Sequence, residues 1–186
     1  GFLYARKVCV YNSCGNLINE TYYNTEGKLS KYLKCGYSRK TIAYDDQQHL
    51  SKETFYDSTG HIEYYTLYTY NESGKLIEEA FFNKDNTPYY NNNVTRKVYS
   101  YDEAGNLTQE AYYDHTHRLC NHSKLGYCRR CLSYDEHNRL IRESYFDSFN
   151  LPVFITDTDG SISRAKGRCF TAVTYSYHED AQGHVS

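Results

Sequence analysis

Apolar and polar positions alternate in short runs, and the runs are separated by Asp, Asn and Gly. In LTQEAYYD (107–114), period-two alternation puts Leu107, Gln109, Ala111 and Tyr113 on one face, and Thr108, Glu110, Tyr112 and Asp114 on the other. Runs of about seven residues bounded by turn formers read as strands joined by hairpins. The longest apolar stretches fall far short of the ~18 residues a membrane-spanning helix needs.

The runs belong to a repeat. YNSCGNLINETYYN (11–24), YDDQQHLSKETFYD (44–57), YNESGKLIEEAFFN (70–83), YDEAGNLTQEAYYD (101–114) and YDEHNRLIRESYFD (134–147) share one phrase. It is Tyr-[Asp/Asn]-x-x-[Gly]-x-Leu-x-x-Glu-x-aromatic-aromatic-[Asp/Asn]. Copies start at Tyr11, Tyr44, Tyr70, Tyr101 and Tyr134, and a partial one starts at Tyr177. The flanking aromatics stay twelve residues apart, whereas the gaps to the next copy are 21, 14, 19, 21 and 31 residues. Fixed spacing implies a unit whose geometry is set by strand pairing; variable spacing implies loops or strand extensions. The expected fold is all-β: a repetitive antiparallel β-hairpin or meander array, forming a twisted sheet, solenoid or open shell of about five and a half repeats. Residues 1–186 read as a single repeat domain, with a longer insertion at 148–176 containing Pro152, Asp159-Gly160 and Gly167.

Asp/Asn-x-x-Gly is a turn signal: the side chain accepts from the turn's backbone, and Gly takes the positive-φ position of a bulged hairpin. Gly15, Gly27, Gly60, Gly74 and Gly105 are the turn glycines. Gln48 and Asn138 stand where Gly is expected. Asn tolerates positive φ and Gln does so poorly, so the 45–49 turn is expected to differ in shape.

YDEAGNL (101–107) and YDEHNRL (134–140) resemble the tyrosine-aspartate (YD) repeats of the RHS and teneurin families, and YYNTEGKLSKY (22–32) resembles the MORN-variant repeat. The resemblance covers roughly residues 8–147 and again 173–186. It implies sheets of short hairpins, an extracellular or cell-surface setting, and roles in enclosing cargo, binding carbohydrate or adhesion. The remote form of this expectation is a fragment of a toxin-carrying RHS-type shell. The chain carries no RHS-core segment with an Asp-Pro-x-Gly motif and no toxin-like tail, and an enclosed shell needs more strands.

Composition sharpens this reading. Leu, Ile, Val and Phe supply only 35 of 186 residues, while Tyr supplies 23 and Trp and Met none. A low aliphatic content points to disorder only alongside high net charge; here the formal net charge is −2, so tyrosine carries the apolar load. Balanced charge leaves no electrostatic footprint for nucleic acid. No signal-peptide pattern opens the chain, and a start at Gly1 without any Met fits a processed product or a fragment.

Three groups of side chains are candidates for function. Seven cysteines lie at 9, 14, 35, 120, 128, 131 and 169. Disulfides would suit an exported protein with a thin core, and Cys9 or Cys14 with Cys35 are the easier pairs. Cys120, His122, Cys128 and Cys131 have the residue types of a zinc site, yet residues 126–134 mirror 36–44, where Ser38 and Thr41 replace two of the cysteines. Zinc is the one conceivable cofactor; otherwise none is expected. The repeated acids Glu20, Glu53, Glu79, Glu110 and Glu143 are too alike for a catalytic pair, which needs differentiated environments. They are expected to accept hydrogen bonds from cross-strand Tyr, Lys or Arg, and no enzyme is expected.

Those acids, beside Tyr22, Phe55, Phe81, Tyr112 and Tyr145, form the candidate binding face for a glycan or protein. Asn19, Asn71, Asn93, Asn106 and Asn121 head Asn-x-Ser/Thr sequons. The leading expectation is a non-catalytic structural or assembly protein, a homo-oligomer or part of a larger parent assembly. The alternative is a carbohydrate- or protein-binding module.

Overall fold

The computed structural model describes residues 5–153 and 172–177. The described chain is all-β, with no helix. It forms two compact units, residues 1–91 and 92–186.

The first unit contains β1 (Arg6–Tyr11), β2 (Leu17–Tyr23), β3 (Arg39–Tyr44), β4 (Leu50–Tyr56), β5 (Ile62–Tyr70) and β6 (Leu76–Asn83). The second contains β7 (Arg96–Tyr101), β8 (Leu107–Tyr113), β9 (Arg129–Tyr134), β10 (Leu140–Phe146) and β11 (Ala172–Thr174). Within each unit every strand pairs antiparallel with the next in sequence, the meander expected from the repeats.

Each copy of the phrase is one hairpin. The register slips by one residue just before the motif tyrosine, between Val10 and Tyr11, Ala43 and Tyr44, Thr69 and Tyr70, and Ser100 and Tyr101. This is the bulge that a residue with positive φ creates at the end of a hairpin turn. Asn12 Oδ1 accepts from the backbone N of Cys14 and Asn16 at 3.0 and 2.9 Å.

The 45–49 turn does not differ in shape, contrary to the expectation from Gln48. Gln48 sits at φ 66° and Gly15 at 82°. Asp45 Oδ1 accepts from Gln47 N and His49 N at 2.9 and 2.8 Å, repeating the Asn12 pattern. The Asx side chain sets the turn, and it holds Gln48 in the left-handed region against a cost of about 1–2 kcal/mol. Gln48 Oε1 also accepts from Asn16 Nδ2 of the preceding repeat's turn at 3.1 Å.

The variable gaps also have a structural account. After β4 a second Asx turn, Asp57 to His61, leads straight into β5. After β2, β6, β8 and β10 the chain instead touches back once, pairing Tyr23 with Leu29, Phe82 with Pro88, Tyr113 with Leu119 and Phe146 with Pro152. A short loop follows β2 and β8 before the next strand. Of the 148–176 insertion, residues 154–171 lie outside the described residues.

The core is a ladder of rings on the face that also carries the glutamates. In the first unit, ring centroids run Tyr32–Tyr22 5.1 Å, Tyr22–Tyr37 6.0 Å, Tyr37–Phe55 5.3 Å, Phe55–Tyr64 4.5 Å and Tyr64–Tyr89 4.5 Å. In the second, His122–Tyr112 is 5.2 Å, Tyr112–Tyr127 5.9 Å and Tyr127–Tyr145 4.9 Å. Such pairs add about 0.5–1.5 kcal/mol each beyond the area they bury, which is how a chain poor in aliphatics holds a sheet together. The opposite face buries small residues, Thr21, Thr54, Ala111 and Ser144.

Candidate functional site

The recurring glutamates lie at the centre of a polar cluster inside this ladder. Strand alternation puts Glu20 and Tyr22 on one face, and pairing brings Lys7 and Lys40 opposite them. Glu20 is 7% exposed. Its Oε1 accepts from the hydroxyls of Tyr22 at 2.6 Å and Tyr37 at 2.8 Å, and its Oε2 meets Lys7 Nζ at 2.7 Å. Glu53 accepts from Lys40 Nζ at 2.8 Å and Tyr68 at 2.7 Å. Glu110 accepts from Tyr112 at 2.7 Å. Glu143 accepts from Arg130 Nη2 at 2.8 Å and from the Tyr145 hydroxyl. Glu79 stands opposite Tyr68 in the β5–β6 register.

Burial by itself would raise the carboxyls of Glu20 and Glu143. For Glu20 the bonds from Lys7, Tyr22 and Tyr37 outweigh it, and for Glu143 those from Arg130 and Tyr145 do, so both sit below the ordinary value. The partner hydroxyls of Tyr22, Tyr112 and Tyr145 are raised, first by burial and then by the adjacent carboxylate. Lys7, Lys40, Tyr68 and Arg130 are cross-strand partners as expected, whereas Tyr22, Tyr112 and Tyr145 reach the glutamate two residues back on their own strand.

The aromatics of the candidate binding face are packed inward. Tyr22 and Phe81 are each 4% exposed and Tyr112 2%. Phe55 and Tyr145 are rungs of the two ladders. A sugar laid on this face would first have to displace one ring from another. A solvent-open depression of about 610 Å³ lies elsewhere in the first unit, lined by Lys31, Glu63, Tyr64, Asn83, Asp85 and Tyr89 among others. None of the ten candidate binding residues lines it. Lys31 Nζ meets Glu63 Oε1 there at 2.6 Å, and burial pushes the Tyr64 hydroxyl up to about 12.

The zinc set does not converge: among the described residues no group of three or more His, Cys, Asp or Glu side chains is placed to hold a metal. The reason lies in the repeat. His122 N donates to Tyr127 O at 3.0 Å and Gly126 N to His122 O at 2.7 Å, as Tyr32 N does to Tyr37 O and Gly36 N to Tyr32 O. His122 thus takes the ring position of Tyr32 and packs on Tyr112. Cys128 takes the buried place of Ser38, and Cys131 that of Thr41. Burial pushes the thiols of Cys120 and Cys128 up to about 11, away from the thiolate a metal needs. The six described cysteines are all free, so the pairs of Cys9 or Cys14 with Cys35 do not form. Cys169 lies outside the described residues.

Two contacts were not anticipated from the sequence. First, the motif tyrosine clasps the preceding repeat. Tyr44, Tyr70, Tyr134 and Tyr177 hydroxyls donate to the carbonyls of Leu17, Leu50, Leu107 and Leu140, each at 2.9 Å. Second, a basic residue five positions before the motif tyrosine stacks across its own hairpin. Arg6 lies over Tyr23, Arg39 over Tyr56, Arg96 over Tyr113 and Arg129 over Phe146, with guanidinium-to-centroid distances of 4.5, 3.8, 4.9 and 4.7 Å. Arg39 Nε is buried without a hydrogen-bond partner, so the ring face is the compensation for its desolvation. The basic pairs Arg6-Lys7, Arg39-Lys40, Arg96-Lys97 and Arg129-Arg130 recur at constant spacing, and that was the available signal. In the third copy Tyr65 fills the arginine's place and stacks on Phe82 at 5.3 Å.

No protein-family model matches the chain, and no curated protein matches it. Among solved structures it is similar to one described as TcdB2-TccC3-Cdc42, at 17% identity and a TM-score of 0.35, over 74% of this chain and 7% of that one. It is also similar to a chain of the Tc holotoxin pore of Photorhabdus luminescens, at 17% identity and a TM-score of 0.40, over 97% of this chain and 9% of that one. The chain thus spans less than a tenth of either. Likeness at this level extends to neither activity nor partners.

Proposed function

We propose that this chain is a non-catalytic structural repeat of the YD kind, set outside the cell or at its surface, that packs edge to edge with more sheet of its own type. That sheet is supplied by copies of the chain or by a larger parent assembly. One observation carries the reading: the side chains that define the repeat are spent on the repeat itself. The motif Tyr bonds the preceding copy, the Glu is held by Lys, Arg or Tyr, the aromatics form the ladder, and the Asx side chain closes the turn. A meander built this way ends in unpaired strand edges, which either need covering or act as assembly surfaces. The placement outside the cell rests on the resemblance of YDEAGNL and YDEHNRL to YD repeats. Electron microscopy of concentrated protein tests the reading: particles longer than a single chain support it, and uniformly single-chain particles contradict it.

A second reading is carbohydrate recognition at the depression beside Tyr89. Tyr89 ends the first unit's ladder, stacked on Tyr64 at an interplanar angle of 4°. Acidic, basic and amide side chains around it could bind hydroxyls. Hits on a glycan array that vanish with Tyr89→Ala support this reading, and a blank array removes it.

A further inference from the structure

Resting on the assembly reading, we infer that the outer edge of β1 is a strand-docking site, and that its partner is an extended segment carrying the second-strand pattern of this same repeat, Leu-x-x-Glu-small-aromatic.

The molecule contains its own template for this contact. Where β3 meets β2 and where β9 meets β8 the same arrangement returns, whereas Glu53 faces Thr66 and Glu143 faces Val173 at the junctions of β4 with β5 and of β10 with β11. Between β2 and β3, Glu20 stands opposite Lys40, Thr21 opposite Arg39 and Asn19 opposite Thr41. Between β8 and β9, Glu110 stands opposite Arg130, Ala111 opposite Arg129 and Gln109 opposite Cys131. At the far end of each such pair the motif tyrosine donates to the leucine carbonyl of the facing strand, at 2.9 Å for Tyr44 and for Tyr134.

β1 carries every element of the receiving side. Arg6 and Lys7 hold the places of Arg39 and Lys40, and Tyr11 holds that of Tyr44. Among the described residues β1 pairs only with β2, and Tyr11 and Val10 are 58% and 42% exposed. Lys7 already meets Glu20 of its own repeat, as Lys40 meets Glu53 while standing opposite Glu20. In the template the cation bonds the glutamate of its own hairpin and stands opposite the glutamate of the facing strand. An antiparallel strand laid on β1 in this register puts its Glu opposite Lys7, its small residue opposite Arg6 and its Leu carbonyl at the Tyr11 hydroxyl. Main-chain hydrogen bonds supply affinity in such strand addition, and the alternating side chains supply register.

The test uses the full 186-residue protein and a fluorescent peptide of residues 106–114, NLTQEAYYD. Saturable binding is expected, with slowed hydrogen exchange at β1 amides. Tyr11→Phe weakens binding about five-fold, the loss of one net hydrogen bond. A peptide with its Glu changed to Gln also binds more weakly. No saturation up to about 1 mM peptide, or binding unaffected by Tyr11→Phe with exchange slowed at another strand, overturns the proposal. Circular dichroism of Tyr11→Phe must match the parent protein, and because the Tyr11 hydroxyl makes no hydrogen bond among the described residues this is expected. The two claims fail separately. A protein that assembles while ignoring the peptide keeps the assembly reading and loses the β1 site. A protein that binds the peptide at β1 but never assembles does the reverse.

Discussion

The Tyr44 hydroxyl donates to the Leu17 carbonyl at 2.9 Å across a sequence separation of 27 residues. The same bond, at the same length, spans 20 residues from Tyr70 to Leu50 and 37 from Tyr177 to Leu140. The chain between repeats changes length and the contact between repeats does not. That contact defines how one repeat is placed on the next.

Removing this hydroxyl should therefore destabilise the protein. Tyr44→Phe and Tyr134→Phe are each expected to cost about 0.5–1.5 kcal/mol in denaturant unfolding, the net worth of one intramolecular hydrogen bond. Tyr11→Phe, at the exposed edge, is expected to fall within about 0.5 kcal/mol of the parent, as surface changes do. Equal losses at Tyr11 and Tyr44 would contradict the clasp.

The stacked arginines give a second prediction. Arg39→Ala is expected to cost about 1–2 kcal/mol, from a partly desolvated cation on the Tyr56 ring and the packing of its stem. Arg39→Lys should recover only part of this, because an ammonium does not stack as a planar guanidinium does. Full recovery with Lys would show that charge alone matters at this position.

Acid should weaken the two units at different pH. His122 is held below its ordinary 6.5, first by burial and then by Lys97 and Lys124, with Glu110 opposing. Its neutral form is the folded one, so its contribution is complete above pH 6.5 and drains as the pH falls below that and the unfolded chain takes up the proton. Glu20 and Glu143 are held below their ordinary 4.5. Their contribution is complete above pH 4.5 and is lost as the pH falls toward their folded values. Amide exchange should thus quicken around His122 as the pH falls below 6.5, before Glu20's surroundings respond below 4.5. His122→Asn should abolish the earlier step, and simultaneous loosening at both places would contradict the assignment.

Turn chemistry yields a further test. Gln48→Gly relieves a left-handed residue costing about 1–2 kcal/mol while losing the exposed bond from Asn16. A net gain of up to about 1 kcal/mol in unfolding free energy is expected. A loss would mean that the link between the two turns outweighs the backbone relief.

Much of the fold was legible because period two and the Asx turns are local signals. The aromatics twelve residues apart fix both strands of each hairpin, and the recurring glutamates foretold the cross-strand cations Lys7, Lys40 and Arg130 but not the same-strand hydroxyls of Tyr22, Tyr112 and Tyr145. What escaped depends on register between repeats. The tyrosine–leucine clasp spans the variable gaps, so no constant spacing announces it. Arg39 and its equivalents open strands, where a basic pair reads as a solvated end, and only pairing shows Arg39 against Tyr56. The match of Cys128 and Cys131 to Ser38 and Thr41 was legible in the sequence, whereas the match of His122 to Tyr32 rests on backbone bonds that only the fold shows. The inward packing of Tyr22, Phe81 and Tyr112 was hidden because alternation assigns a face but not what covers it.

Sedimentation velocity of the unmodified chain over a wide concentration range tests the central claim most directly. If the repeat is an assembly unit, the weight-average mass rises above 21.8 kDa with concentration. A single 21.8 kDa species at every concentration contradicts it.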